Sequence, residues 1–323
     1  MTKSRLRSVK ERNFERKKQA PRGQAAKRRS RRPPKQPNAT KAFHNRLAVI
    51  FDFDDTLAPV STHALLKRYG IDPKTFDRKW IQPLRAEGWD EKLAEFYCLI
   101  NESKRRPDRP ITREFLAEVG RAIEPFEGVP KMFGRVRDCA RRQISDIELE
   151  FYLLSCGFVD LERAASFASE FKQMWGSEFA FNDRGEIEFP KQILTHPEKV
   201  RYILQLSKGL GLEGQNRPLD VYRDVPDEKL YVPLNQVVYV GDGESDLPAF
   251  GLLDKYGGKG IGVYKPRQRP KDWPGHKGMR EGLQVQNLAP ADYREDGELI
   301  RSLLLAVESI CKEMLLRRLG QGE

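Results

Sequence analysis

The stretch LAVIFDFDDTLAP, residues 47–59, decides the fold class of this chain of 323 residues. It begins with five apolar residues and continues into Asp52, Asp54 and Asp55. A continuous apolar run that ends in polar, turn-forming residues is typical of a strand buried on both faces of a parallel sheet. Ligand-binding groups of such sheets gather at the carboxyl ends of the strands. The stretch therefore predicts an α/β protein whose site lies at one edge of a parallel sheet.

Asp52 and Asp54 are the first candidate site residues. They are two positions apart, so their side chains point to the same side while the backbone stays extended. Two carboxylates that close repel each other unless a cation or a proton lies between them. Mg²⁺ is the usual occupant of a small all-oxygen site that a phosphate completes. The alternative, that this acidic pair belongs to a loop or caps the next helix, stays open on spacing alone.

Two further apolar runs end in polar residues in the same way. FYLLSCGF, residues 151–158, contains Ser155, although a serine at the end of a strand is most often structural. VVYVGDGESDLPAF, residues 237–250, places Asp242 and Asp246 directly after its strand. The glycines on either side of Asp242 permit a tight turn with unusual backbone angles, which would aim both carboxylates over the strand end. These runs predict two more strands that contribute to the same site.

A cation is expected near these carboxylates, and three lysines compete for the position. THPE, residues 195–198, indicates a capping box that opens a helix, so Lys199 falls in the first turn. A cation there opposes the helix macrodipole at a cost of about 0.3–1 kcal/mol. An anion shared with the acidic cluster would offset that cost. Lys191 and Lys208 remain alternatives, because all three lysines are unremarkable as surface residues.

Taken in this order, DFDDT, the strand ending at Ser155 and GDGESD resemble the signatures of the haloacid dehalogenase-like (HAD) superfamily, in its phosphoserine phosphatase-like branch with a helical cap. The resemblance covers most of residues 47–265. It favours Lys199, because HPEKVRYILQLSKG, residues 196–209, is similar to a segment of capped phosphatases in the superfamily. The commonest members are Mg²⁺-dependent phosphatases, so the resemblance implies a phosphoric monoester hydrolase.

The resemblance also implies a catalytic role for four residues. Asp52 is expected to be the nucleophile that forms an aspartyl-phosphate. Asp54 is expected to protonate the leaving group and later to accept a proton from the attacking water. Ser155 and Lys199 are expected to hold and neutralise the phosphoryl oxygens.

The same resemblance implies a magnesium site. Its ligands would be a carboxylate oxygen of Asp52, the backbone carbonyl of Asp54 and a carboxylate oxygen of Asp242, with water and substrate completing the octahedron. Asp246 would support the metal through water or by orienting its ligands. Mg²⁺ is the cofactor that this resemblance implies.

The layout between the motifs predicts two regions of the folded chain. Residues 47–59 and 127–323 are expected to form a three-layer, Rossmann-like core with a parallel sheet, and residues 60–126 an inserted all-helical cap domain. Within the core, residues 167–175 are expected to form a helix, followed by a hairpin around residues 182–185. Substrate choice would depend on the cap, whose residues show no binding set for a particular metabolite.

Residues 1–46 differ in composition from the rest of the chain. They contain 17 Lys and Arg against two acids, a net charge of +15, whereas the whole chain carries +11. Large apolar residues are too few for this segment to bury a core, so a disordered basic tail is expected. Its positive charge is compatible with nucleic acid or another polyanion, an anionic membrane surface or an import receptor as partner.

The resulting hypothesis is a Mg²⁺-dependent phosphatase that hydrolyses a small phosphorylated metabolite through an aspartyl-phosphate. Two alternatives stay open: a polynucleotide-end phosphatase whose basic tail binds nucleic acid, and a non-enzymatic binding protein on a HAD scaffold. The four cysteines show no metal-ligand or disulfide spacing, which favours a reducing, cytoplasmic compartment. No apolar run approaches the roughly 18 residues that a membrane span needs. Neither the oligomeric state nor the individual substrate follows from the sequence.

Overall fold

A computed structural model describes residues 44–212, 218–266, 268 and 285–321 of the chain. All of them lie in the unit Thr40–Glu323. The disorder expected for the basic tail therefore concerns residues outside the described ranges, except at the end of the tail, because Arg46 already belongs to the first strand. No helix in the described ranges is both long enough and apolar enough to cross a membrane.

The described residues contain seven strands: β1 (Arg46–Phe51), β2 (Glu148–Phe158), β3 (Gln173–Phe181), β4 (Ile187–Gln192), β5 (Val237–Gly241), β6 (Lys259–Tyr264) and β7 (Asn287–Pro290). They form one sheet in the order β4-β3-β2-β1-β5-β6-β7. Neighbouring strands pair in parallel, except that β3 and β4 are antiparallel. The parallel sheet expected from the buried apolar runs is confirmed.

Ten α-helices are present in the described residues: α1 (Ser61–Tyr69), α2 (Pro73–Phe76), α3 (Gln82–Ala86), α4 (Glu91–Arg105), α5 (Arg113–Arg121), α6 (Val129–Gln143), α7 (Val159–Glu162), α8 (Glu198–Ser207), α9 (Leu247–Tyr256) and α10 (Glu298–Gln321).

Alternate residues of β1 face opposite sides of the sheet. Val49 and Phe51 pack in the cluster that contains α6 and α10. Ala48 and Ile50 pack in the cluster that contains α8 and α9. Helices therefore cover both faces, and the predicted three-layer architecture is confirmed.

The pairing of β1 with its two neighbours sets the position of the site. Phe51, the last residue of β1, lies opposite Leu153 of β2 and Val240 of β5. Because the three strands run in parallel, the residues that follow these positions meet at one edge of the sheet. This edge carries the motifs that the sequence singles out.

The helices α1 to α5 lie between β1 and β2 in the chain. They share an apolar cluster with the carboxyl ends of β2 and β3. Phe96 of α4 contacts Phe158 of β2 and Phe179 of β3, with ring centroids 5.0 and 4.6 Å apart. The helical insertion is therefore anchored beside the carboxyl edge of the sheet. Its boundaries as a separate cap, at residues 60 and 126, stay a prediction.

The helix expected at residues 167–175 is wrong. Only Ala168–Glu170 form a short 3-10 turn, and β3 begins at Gln173. Gln173 is paired in parallel with Tyr152 of β2, and residues 174–179 are buried. Pairing and burial in the sheet outweigh the local helical pattern here.

Two other core predictions have different outcomes. The hairpin around residues 182–185 is confirmed: β3 and β4 pair across it, and Gly185 takes a φ of +76°. The strand expected to close at Ser155 is longer than predicted. β2 continues to Phe158, with an irregular register after Leu154.

Candidate active site

Asp52 follows β1 and is held by the backbone and by a lysine. Its N–H donates to Val240 O of β5 at 2.9 Å, which extends the sheet pairing by one residue. Asp52 Oδ1 accepts from the Phe53 N–H at 2.8 Å, and Oδ2 lies 2.9 Å from Lys199 Nζ. The side chain is only 7% exposed. Both carboxylate oxygens are therefore held in one orientation at the edge of the sheet.

Asp242 and Asp246 follow β5, and the structure brings both to Asp52. One carboxylate oxygen of each residue lies within 4.8 Å of the other two. Asp246 and Asp52 are buried, and Asp242 is half-buried. Three oxygen donors this close together form a group that is able to hold a hard cation.

Asp246 has hydrogen-bond partners for both of its oxygens. Oδ1 accepts from Lys199 Nζ and from the Tyr239 hydroxyl, each at 2.6 Å, and Oδ2 accepts from the Gly243 N–H at 3.0 Å. A Cβ on Gly241 would lie 2.4 Å from Asp246 Cγ, so Gly241 permits a close approach of this side chain. The unusual backbone angles expected at Gly241 and Gly243 are wrong, because neither has a positive φ.

Lys199 is the lysine that reaches the acidic cluster. It lies in the first turn of α8, is fully buried, and bridges Asp52 and Asp246 at 2.9 and 2.6 Å. Lys191 is instead largely exposed and pairs with Glu178, and Lys208 donates to two backbone carbonyls. The anions that the unfavourable helix position of Lys199 led us to expect are therefore present.

Asp54 is not part of the carboxylate triad. Its Oδ1 accepts from the Ser61 N–H at 2.7 Å, at the beginning of α1, so the helix-capping alternative describes one of its contacts. Its Oδ2 lies on the other side, 3.2 Å from the point that a Cβ on Gly157 would occupy. This places the Asp54 carboxyl between α1 and the end of β2.

Ser155 is buried and contacts a carboxyl that the sequence analysis missed. Ser155 Oγ is hydrogen-bonded to Glu162 Oε1 at 2.7 Å and accepts from the Gly157 N–H at 2.9 Å. Glu162 is fully buried in α7. In the sequence nothing distinguishes Glu162 from nearby Asp160, whose carboxylate accepts a hydrogen bond from the Phe179 N–H instead.

Crowding and burial change the proton affinity of these groups. Burial raises the pKa of Asp52 to about 7, with Lys199 acting against the rise and Asp246 adding to it. Burial also raises the pKa of Asp54, and the Ser61 N–H opposes that rise. The pKa of Asp242 is raised well above its ordinary value by burial and by Asp246. In all three residues the ionised form of the carboxyl is therefore disfavoured.

The pKa of Lys199 is raised as well, and for a lysine this favours the charged form. Burial alone would lower its pKa, but the carboxylates of Asp246 and Asp52 outweigh that effect and raise the pKa well above the usual lysine value. The ammonium group therefore stays charged in the interior of the protein.

A cavity of about 210 Å³ lies between α4 and the sheet edge. Lys92 and Glu95 of α4 line it on one side, and Cys156 and Thr195 line it on the other. Cys156 is half-buried rather than buried as its position in an apolar strand suggests. Burial raises the pKa of its thiol to about 12, which keeps the sulfur protonated and a poor nucleophile.

Comparison with known proteins identifies few relatives by sequence. No protein-family model matches the chain. An uncharacterized protein of Borreliella burgdorferi is 25% identical over 236 residues, which is 65% of this chain and 79% of that protein.

Solved structures with the same architecture are more informative about the fold. A HAD family hydrolase from Salmonella enterica subsp. enterica serovar Typhi superposes with a TM-score of 0.52 at 13% identity, over 83% of this chain and 73% of its own. A probable phosphoserine phosphatase from Vibrio cholerae has a TM-score of 0.52 at 12% identity, over 85% of this chain and 69% of its own. Identities this low show the fold alone. The chain has the fold of the haloacid dehalogenase-like hydrolases, of the phosphoserine phosphatase-like type.

Proposed function

We propose that this protein is a Mg²⁺-dependent phosphatase that hydrolyses a small phosphomonoester through an aspartyl-phosphate. The observation that carries the proposal is the contact between Asp52 and Lys199 within a group of three carboxylates at the carboxyl edge of the sheet. A phosphate dianion repels an attacking carboxylate, so a site of this kind must supply positive charge beside its nucleophile. Lys199 supplies one such charge, fixed by burial.

The group of three aspartates is suited to Mg²⁺. Its donors are all oxygen, and Asp52, Asp242 and Asp246 repel one another in a largely buried space, as their contact distances and the raised pKa values of Asp52 and Asp242 indicate. A hard divalent cation relieves such repulsion and binds substrate phosphate at its remaining positions. We propose that Asp52 and Asp242 bind the ion directly, together with the backbone carbonyl of Asp54. Asp246, whose Oδ1 is already engaged by Lys199 and Tyr239 and whose Oδ2 accepts from the Gly243 N–H, would orient the other two carboxylates.

The remaining residues have the chemistry that phosphoryl transfer needs. Asp52, whose carboxylate is held by Lys199 and the Phe53 N–H, would attack phosphorus and form the aspartyl-phosphate. Asp54, whose pKa is raised by burial, would donate its proton to the departing alkoxide oxygen. In the second half of the reaction the ionised Asp54 would take a proton from the water that attacks the aspartyl-phosphate. The bond between Asp52 and phosphorus would then break, which releases inorganic phosphate and leaves Asp54 protonated again. Ser155 and Lys199 would hold the phosphoryl oxygens during both steps.

A small substrate is favoured by the cavity beside the site. Its volume of about 210 Å³ is below the range of roughly 300–1,000 Å³ that is usual for drug-sized ligands. Lys92 and Glu95, from the helical insertion that we propose as a cap over residues 60–126, would contact the leaving group there. The free thiols of all four cysteines support a reducing, cytoplasmic location.

The test is a panel of phosphorylated metabolites and of 3′- and 5′-phosphorylated oligonucleotides, assayed with Mg²⁺ and with EDTA. We expect a metabolite to be hydrolysed only with Mg²⁺, and Asp52→Asn to reduce kcat at least about 10³-fold because the nucleophile is lost. Lys191→Ala is the matched control for Lys199→Ala, and only the second should lose activity. Hydrolysis confined to oligonucleotides would favour the polynucleotide-end phosphatase, and full activity of Asp52→Asn would contradict the mechanism.

A further inference from the structure

Glu162 is a buried carboxyl for which the proposed reaction has no role so far. It lies in α7, directly after β2, and its side chain is fully buried. Glu162 Oε1 is 2.7 Å from Ser155 Oγ. Glu162 Oε2 is buried and has no hydrogen-bond partner among the described residues. Burying a carboxyl with one unsatisfied oxygen is costly, so its persistence here calls for a reason.

Close packing of the backbone holds Glu162 against Ser155. A Cβ on Gly157 would lie only 2.3 Å from Glu162 Oε1, and a Cβ on Gly120 of α5 would lie 2.0 Å from the carbonyl oxygen of Leu161. Glycine at both positions therefore permits α7 to approach β2 and α5. The contact between Glu162 and Ser155 is a result of this packing and has little freedom to change.

The hydrogen bonds of Ser155 Oγ can be counted. A serine hydroxyl has one proton and two lone pairs. The Gly157 N–H fills one lone pair. An ionised Glu162 would accept a hydrogen bond from the Ser155 hydroxyl, and Ser155 would then have no proton left to donate to a phosphoryl oxygen. A protonated Glu162 would fill the second lone pair instead, and the proton of Ser155 would point away from both partners.

The surroundings of Glu162 favour its protonated form, because the side chain is fully buried and its Oε2 has no hydrogen-bond partner among the described residues. Burial raises its pKa well above the ordinary glutamate value, while the Ser155 hydrogen bond and Lys92 act against the rise. A carboxylic acid kept neutral in this way can act as a hydrogen-bond donor at neutral pH.

We propose that Glu162 is a positioning residue that donates a hydrogen bond to Ser155 Oγ and thereby directs the Ser155 hydroxyl proton toward the phosphoryl group. This inference rests on the proposed phosphatase function. It assigns to Glu162 no contact with the substrate, because it acts through Ser155.

Three variants test the inference: Glu162→Gln, Glu162→Met and Ser155→Ala. Glutamine keeps the size of glutamate and can donate from its amide, whereas methionine fills similar space without a hydrogen bond. We expect Glu162→Gln to keep at least about a third of kcat/KM and Glu162→Met to lose about 10- to 100-fold, as for a lost hydrogen bond in a buried site. The dissociation constant of inorganic phosphate with Mg²⁺, measured by calorimetry, should change in parallel.

The double variant separates positioning from a purely structural role. In the Ser155→Ala background, Glu162→Met should lower kcat/KM by less than about threefold, because the hydroxyl that Glu162 orients is already absent. A loss of kcat/KM as large as in the wild-type background would overturn the inference. So would a loss of kcat/KM in Glu162→Gln that equals the loss in Glu162→Met. Thermal melts identify variants that fail to fold. A wild-type protein that neither hydrolyses any ester nor binds phosphate would instead refute the proposed function, and with it the inference.

Discussion

Two polar clusters at opposite ends of the strands of the same sheet differ in how well their positive and negative charges balance. The acidic site lies at the carboxyl ends of β1 and β5, and its charged residues are Asp52, Asp242, Asp246 and Lys199. The second cluster, here called the Glu150 cluster, lies near the amino ends of β1 and β2 and consists of Glu150, Arg46, Lys172 and Tyr231. The acidic site has an excess of negative charge, and the Glu150 cluster does not.

In the Glu150 cluster the carboxylate has a full set of partners. Glu150 Oε1 lies 2.5 Å from Lys172 Nζ and 3.4 Å from Arg46 Nε, and it accepts from the Tyr231 hydroxyl at 2.8 Å. Arg46 also pairs with Glu148, so the charges of the cluster balance. Lys172 is 45% exposed, and water can screen it. Such a cluster is complete without a ligand.

The acidic site has three carboxylates around one lysine that is fully buried. Its negative charge exceeds its positive charge, and burial raises the pKa of Asp52 to about 7 as a result of that environment. A divalent cation would compensate this excess of negative charge. The Glu150 cluster has no such excess, because its charges already balance. The difference separates a site that would bind an ion from a polar contact that supports the fold.

The largest expected effect is the removal of the central lysine. Lys199→Met should lower the free energy of unfolding by about 3–5 kcal/mol, because it leaves buried carboxylates without their cation. Lys172→Met, in the Glu150 cluster, should lower it by at most about 1 kcal/mol, because that pair is partly exposed. Urea denaturation in EDTA measures both. Equal losses would show that the two clusters depend on their lysines to the same degree.

A second effect concerns the cation itself. Mg²⁺ at a hundred times its dissociation constant should raise the free energy of unfolding by about 2.7 kcal/mol. Asp242→Asn should remove most of this stabilisation, because it removes one proposed ligand. Tyr231→Phe, in the Glu150 cluster, should leave the response to Mg²⁺ unchanged. Thermal melts over a Mg²⁺ titration measure it, and an undiminished response of Asp242→Asn would contradict the proposed ligand set.

The sequence could predict the parts of this site that depend on local patterns. Asp52 and Asp242 follow apolar runs, and parallel pairing then brings strand ends together without further information. The position of Lys199 in a helix, unfavourable unless an anion is near, made it one of three candidate lysines, and the resemblance to capped phosphatases favoured it. These features are readable from a few neighbouring residues.

Other features depend on packing between distant segments and could not be predicted. Glu162 becomes buried only because α7 approaches α5 through Gly120, and no local pattern shows this. The strand that begins at Gln173 could not be predicted, because its pairing with β2 is a tertiary contact. Residues 167–175 were expected to be helical instead. Gly241 is needed for the close approach of Asp246 and not for its backbone angles.

The smallest effect is a pH dependence that distinguishes buried Glu162 from half-buried Glu150. In the folded protein the pKa of Glu162 is raised well above 4.5, chiefly by burial, whereas in the unfolded chain it is ordinary. Between these values the folded state holds one more proton than the unfolded state, so its stability falls as pH rises, by up to about 1.4 kcal/mol per pH unit. Glu162→Gln lacks this proton, and its stability relative to wild type should therefore increase from pH 5 to pH 8.

Glu150→Gln provides the opposite case. Glu150 is engaged by Lys172 and Arg46 as a carboxylate, so removing its charge should make the variant less stable than wild type at pH 8. Glu188→Gln, at an exposed position, should change little at any pH. Urea denaturation in EDTA at each pH measures all three. If the stability of Glu162→Gln relative to wild type fell from pH 5 to pH 8, Glu162 would be an ordinary paired carboxylate, and it would have no proton to donate to Ser155.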